Sequence, residues 1–155
     1  TRAAGRATVK SFGVKSRFVH FEFFRLTKAK EGLGEVGDIV ALEVNMRAPG
    51  GYTPDMINYA NSVDIYQIWA DMVAFGKTYV DLNKQHYYAA YCARRDGKQY
   101  LHSEEEIWDR YGDHIVMRER MPEILSGAMG NEMYTAKLDT KEDLDEYNEF
   151  VLSLV

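Results

Sequence analysis

Asp38-Ile-Val-Ala-Leu-Glu-Val-Asn-Met-Arg-Ala-Pro-Gly-Gly51 reads as a strand that runs into a glycine turn. Side chains alternate along a strand. One face therefore holds Leu42, Val44 and Met46, and the other Glu43, Asn45 and Arg47. The apolar row is expected to enter a core. The polar row, a carboxylate, an amide and a guanidinium, suits a phosphate held together with a metal ion. Upstream, residues 17–26 read as a second strand, on which His20, Glu22 and Phe24 share a face. The polar segment 27–37, with Gly32, Gly34 and Gly37, joins the two as the long turn of a hairpin.

Neighbouring side chains on paired strands come within about 5 Å, and like charges placed there repel. Glu22 and Glu43 so arranged need a cation or ample water. Magnesium, or manganese in its place, prefers hard oxygen ligands and commonly takes one or two carboxylates plus substrate phosphates. Arg47 adds a fork-shaped donor for a phosphate or carboxylate oxygen. Gly50 and Gly51 let the backbone approach a ligand and offer N–H groups to an anion. His20 faces the same cleft, as a hydrogen-bonding wall residue or as a base. The plainer alternative is that Glu43 and Asn45 belong to a solvated strand face.

The 155 residues are 46% hydrophobic, which is enough for one good core and most simply a single domain. Eleven Tyr, seven Phe and two Trp argue against intrinsic disorder. A net charge of −5 without a broad basic field makes nucleic acid a poor partner. No apolar run approaches the roughly 20 residues that cross a bilayer. Cys92 is the only cysteine, so no internal disulfide is available and a reducing cytoplasm is the expected compartment. Its strand-like, apolar setting predicts a buried, inert thiol.

Residues 2–12 read as a helix with Ala3, Ala4, Ala7, Val9 and Phe12 buried and Gly13 as its stop. Thr53 and Pro54 open a second helix. Asp64 and Gln67 have capping-box spacing before a third, whose Ile65, Ile68, Trp69, Met72 and Val73 form a core stripe ended by Gly76. His86 to Arg94 and Lys98 to His102 read as strands flanking an Asp96-Gly97 hairpin turn, with Arg94 and Arg95 at its solvated end. Ser103 and Glu106 form a capping box ahead of a helix that ends near Gly112. His114 to Arg120 and Asn131 to Leu138 read as further strands. Thr140 caps a last helix with Leu144, Tyr147, Val151 and Leu154 on one face. The fold class expected is α+β, a mostly antiparallel sheet with packed helices. One domain covers 1–155, with the metal-binding hairpin and its helices in 1–83 and an antiparallel sheet with a closing helix in 84–155.

Phe21-Glu-Phe-Phe24, then Leu42-Glu-Val-Asn-Met-Arg47 and Gly50-Gly51, resemble the C-terminal half of an ATP-grasp domain of the biotin carboxylase and carbamoyl-phosphate synthase kind. The motif-bearing match covers residues 1 to about 75, and the later strands and helix agree more loosely. The resemblance implies that Glu22, Glu43 and Asn45 hold the magnesium ions that bridge the phosphates of ATP. It implies that Arg47 binds phosphate or an acyl-phosphate and that Phe24 lies under the adenine ring. The expected function is that of an ATP-dependent ligase activating a carboxylate for attack by an amine-type nucleophile. In that family the ATP-binding lysines and the adenine hinge lie on a preceding lobe. The chain is therefore expected to be a fragment, inactive alone, whose partner is that N-terminal lobe. Its oligomeric state is open, a homodimer included. The competing expectation is a non-catalytic interaction module that keeps the hairpin as scaffold.

Overall fold

A computed structural model describes residues 1–155 as an α+β protein of six helices and five strands, with every strand pair antiparallel. The chain divides into two compact units: residues 1–54 with 66–79, and residues 55–65 with 80–155. No helix is long and apolar enough to cross a membrane.

The first unit opens with α1 (Arg2–Ser11). Gly13, at φ +61°, ends it. The Val14 N–H donates to the Val9 carbonyl and the Gly13 N–H to that of Lys10, the paired bonds of a glycine helix stop. β1 (His20–Arg25) and β2 (Ile39–Asn45) form the expected hairpin. Its long turn is closed by the Asp38 carboxylate, which accepts from the Glu35 N–H at 2.8 Å. Phe21 and Val44 are cross-strand partners on one face, and α1 lies against that face, with Gly5 next to the Phe21 ring. Of the five residues within 2–12 expected in a core, Ala4 and Val9 are half-buried, while Ala3, Ala7 and Phe12 are exposed.

α2 (Thr53–Asn61) and α3 (Ile65–Phe75) follow. The expected stripe on α3 is only partly a core. Ile65 is buried, Ile68 and Met72 are half-buried, and Trp69 and Val73 are exposed. The deepest polar group of α3 is Asp71, 4% exposed. It accepts from the Tyr79 N–H (2.9 Å), Gln67 Nε2 (2.7 Å) and Thr78 Oγ1 (3.2 Å). These donors hold its carboxyl below the ordinary aspartate range, the Tyr79 N–H most of all.

The second unit holds β3 (Tyr88–Arg94), β4 (Ile115–Arg120) and β5 (Glu132–Leu138), in the spatial order β3-β5-β4. α6 (Lys141–Leu152) packs on β3 and β5. Ala90 pairs with Ala136 and Cys92 with Tyr134. These mostly small sheet residues leave room for Tyr147 and Val151 of α6, both fully buried. α4 (Glu104–Tyr111) adds Ile107 and Tyr111 to the same core. Both predicted caps form: Ser103 with Glu106, and Thr140 with Asp143, exchange reciprocal side-chain and backbone bonds.

Two expectations for this unit fail. The Asp96-Gly97 turn forms, with Gly97 at φ +80°, but residues 98–102 do not pair with β3. They run instead beside the C-terminus, with the Leu101 N–H donating to the Ser153 carbonyl at 2.9 Å. Arg94 occupies the space between, and is not a solvated turn residue. Its Nε donates to the Val151 carbonyl and its Nη1 to that of His102, and the guanidinium lies over the Tyr100 ring. A further helix, α5 (Glu123–Met129), lies where no element is expected.

Candidate functional site

The hairpin register decides whether the acidic residues meet. Glu22 is paired directly with Glu43, and His20 with Asn45. Directly opposed residues share a sheet face. His20, Glu22, Glu43 and Asn45 therefore form a two-by-two array on the face away from α1. The Glu22 side chain is 44% exposed, and Glu43 is exposed. Neither carboxylate is sealed under the core.

A β-bulge begins immediately after this pair. The next ladder partners are Phe23 with Ala41, so Leu42 is the extra residue. Simple alternation, which puts Leu42 in the core with Val44, fails for that reason: Leu42 is 56% exposed. Phe24 pairs with Val40, lies two residues along the Glu22 face, and is equally open at 56%.

The remaining candidate residues lie beyond the strand, which ends at Asn45. Arg47 is exposed, and its Nη1 donates to the Ala48 carbonyl at 2.9 Å. Gly51 adopts φ +59° and so needs glycine's freedom. Gly50 has no such requirement, since a Cβ there would meet nothing within 4 Å.

Polar contacts inside the array are unbalanced. His20 Nε2 stands 3.3 Å from Glu22 Oε1. His20 Nδ1 and Asn45 Nδ2 are both buried without a hydrogen-bond partner. Arg94 Nη2 and the Tyr111 hydroxyl of the second unit are unpartnered in the same way, so the two orphans do not by themselves single out this face.

No group of three or more His, Cys, Asp or Glu side chains converges to hold a metal ion. Glu22 and Glu43 supply two carboxylates, and the third hard donor at hand is the amide oxygen of Asn45. Two carboxylates completed by phosphate and water suit magnesium, which seldom takes an all-protein cage. By donor type, two carboxylates and an amide oxygen on one strand face suit that ion.

Pattern reading misses both the bulge and the buried Asp71 carboxylate of this unit. Nothing in residues 38–47 announces the bulge. Asp71 does leave a trace, as an acid four residues after Gln67 within an apolar helix.

Fold and hairpin together define an α+β protein with a paired-carboxylate strand face. No protein-family model matches the chain, and no curated protein matches it.

Proposed function

We propose that the hairpin is the metal- and phosphate-binding half of an ATP-dependent ligase site. The observation that carries this reading is the direct opposition of Glu22 and Glu43 on one accessible face, with Asn45 in the adjacent pair. Glu22, Glu43 and Asn45 would hold magnesium or manganese by oxygen. A metal ion held by these residues would supply positive charge to neutralise phosphate oxygens. Arg47, exposed next to the strand end, would supply a planar donor to a phosphate or acyl-phosphate oxygen. Phe24, open on the same face, would offer a flat apolar surface to the adenine ring, and the Gly51 turn would allow backbone N–H groups to approach the nucleotide.

By the same resemblance, the lysines and hinge that complete an ATP site come from a second lobe of the parent enzyme. ATP turnover, and joining of a carboxylate to an amine-type nucleophile, are therefore expected only with that lobe present. In the assembled enzyme, Glu43→Gln should lower kcat by about a hundredfold or more while leaving the fold intact, because electrostatic stabilisation of the transferring phosphoryl group is lost. Unchanged turnover would remove Glu43 from the site. A second reading, an interaction module without catalysis, draws on the exposed Leu42 at the bulge. Under that reading Leu42→Asp abolishes partner binding and magnesium has no effect on the chain.

A further inference from the structure

We propose that α1 and the loop after it form a docking surface for an anionic lipid membrane, their cations meeting headgroup phosphates and their bare apolar side chains entering the interface. The surface lies on the α1 side of the hairpin, next to Phe21, and not on the face of the paired carboxylates. It therefore stands or falls independently of the metal reading.

Charge is unevenly spread along the chain. Residues 1–21 hold Arg2, Arg6, Lys10, Lys15 and Arg17 and no carboxylate, although the whole chain has a net charge of −5. All five cations are exposed, and none forms an ion pair. On α1 they recur every fourth residue, so like charges stack turn upon turn, which is destabilising. Arg2 also sits in the first turn, where the helix dipole favours an acid, and α1 has none. An external anion relieves both penalties.

Apolar side chains stand among these cations. A shallow groove along α1 is lined by Arg2 and Arg6 together with Val9, Val19 and Phe21. A second, over the loop, is lined by Lys15 and Arg17 with Phe12, Val14 and Met46. Arg17 continues into a third, beside Trp69 and Val73 of α3. No carboxylate lines any of the three. Phe12 is 60% exposed and Val73 74%. A lipid interface matches both components at once, offering phosphates to the cations and the acyl boundary to the apolar side chains. A nucleic acid duplex neutralises the cations and leaves Phe12 and Val73 in water. The rest of the chain carries a net charge of −10, which the same anionic surface repels, so attraction is confined to this segment.

The test is flotation of the full chain with vesicles of phosphatidylcholine mixed with phosphatidylserine, at low salt and in EDTA so that no divalent ion takes part. Vesicles of phosphatidylcholine alone, a DNA duplex and polyglutamate are the comparisons. The chain should float with the phosphatidylserine vesicles and not with phosphatidylcholine alone, and should be released by salt at about 0.5 M. Arg6→Gln and Lys15→Gln should each lower the partition coefficient about fivefold. Phe12→Ala should lower it at least about threefold through lost apolar burial. Lys98→Gln makes the same charge change in the second unit and should stay within about twofold of the unmodified chain. Unchanged thermal midpoints report that the variants are folded; should one unfold, the other two decide by the same criteria. Failure to float with phosphatidylserine vesicles overturns the proposal. So does a Lys98→Gln loss equal to that of Arg6→Gln, which makes net charge the cause. Unchanged partitioning of Phe12→Ala, or binding to the duplex or to polyglutamate as tight as to the vesicles, overturns the lipid assignment in favour of a general anion-binding face.

Discussion

Glu22 and Glu43 stand directly opposite one another on the hairpin ladder, and the proposed metal site rests on them. Without a cation their opposition is a liability, so Glu43→Gln should raise stability by about 0.2–1 kcal/mol in metal-free buffer. Added Mn2+ should raise Tm for the unmodified chain and not for the variant; a common shift in both would mean binding elsewhere. Period-two alternation placed each carboxylate on a face of its own strand, and the ladder register that pairs Glu22 with Glu43 puts the two on the same one. The unsatisfied nitrogens of His20 and Asn45 were not legible, because satisfaction depends on what the fold brings near. Cys92 was legible: it is 1% exposed, burial pushes its thiol up to about 12, and its Sγ donates to Asn148 Oδ1. Its reaction with a disulfide reagent at pH 8 should therefore follow global unfolding; fast labelling of the native chain would contradict this. Asp71 makes a pH prediction. Its carboxyl lies below the usual value of 3.8 in the folded state, so its stabilising effect is complete above that value and fades as pH falls toward the folded one. The difference in Tm between the unmodified chain and Asp71→Ala should be largest near neutral pH and shrink below pH ~3.8.

At the level of elements, local signals succeeded where the determinant lies within one turn of chain. Ser103 with Glu106 and Thr140 with Asp143 are such cases, and both boxes form. Ser103→Ala should lower stability by about 1 kcal/mol, measured by denaturant midpoint at constant slope. Failure followed when the determinant was distant. The Asp96-Gly97 pair correctly marked a turn, yet residues 98–102 bond to the C-terminal segment instead of to β3, with Arg94 bridging the His102 and Val151 carbonyls. No nearest-neighbour rule sees that competition. α5 is seven residues long and holds Ser126 and Gly127, so its helical signal is weak; Pro122 before Glu123 was the available hint. Ser62, between α2 and α3, adopts φ +54°. Ser62→Gly should stabilise the chain by roughly 1 kcal/mol, since the left-handed region is costly for a side chain. An unchanged midpoint would show that the Ser62 Oγ bond to the Gln85 carbonyl offsets that strain.

For the molecule as a whole, the α+β class followed from helices alternating with hairpin-prone strands, and the coordinates bear it out. The division into 1–54 with 66–79 and 55–65 with 80–155 was not foreseeable, because α2 and α3 each contribute to both units. The second unit carries the densest core, in which Ile107, Tyr147 and Val151 are fully buried. Ile107→Ala should cost about 2–5 kcal/mol by leaving a cavity. The first unit carries the acidic hairpin and many exposed apolar side chains, among them Phe12, Phe24 and Val73. The most direct measurement of the account is anomalous diffraction from crystals grown with Mn2+. The account predicts one strong peak in contact with carboxylate oxygens of both Glu22 and Glu43. Peaks elsewhere, with none at that pair, would contradict it.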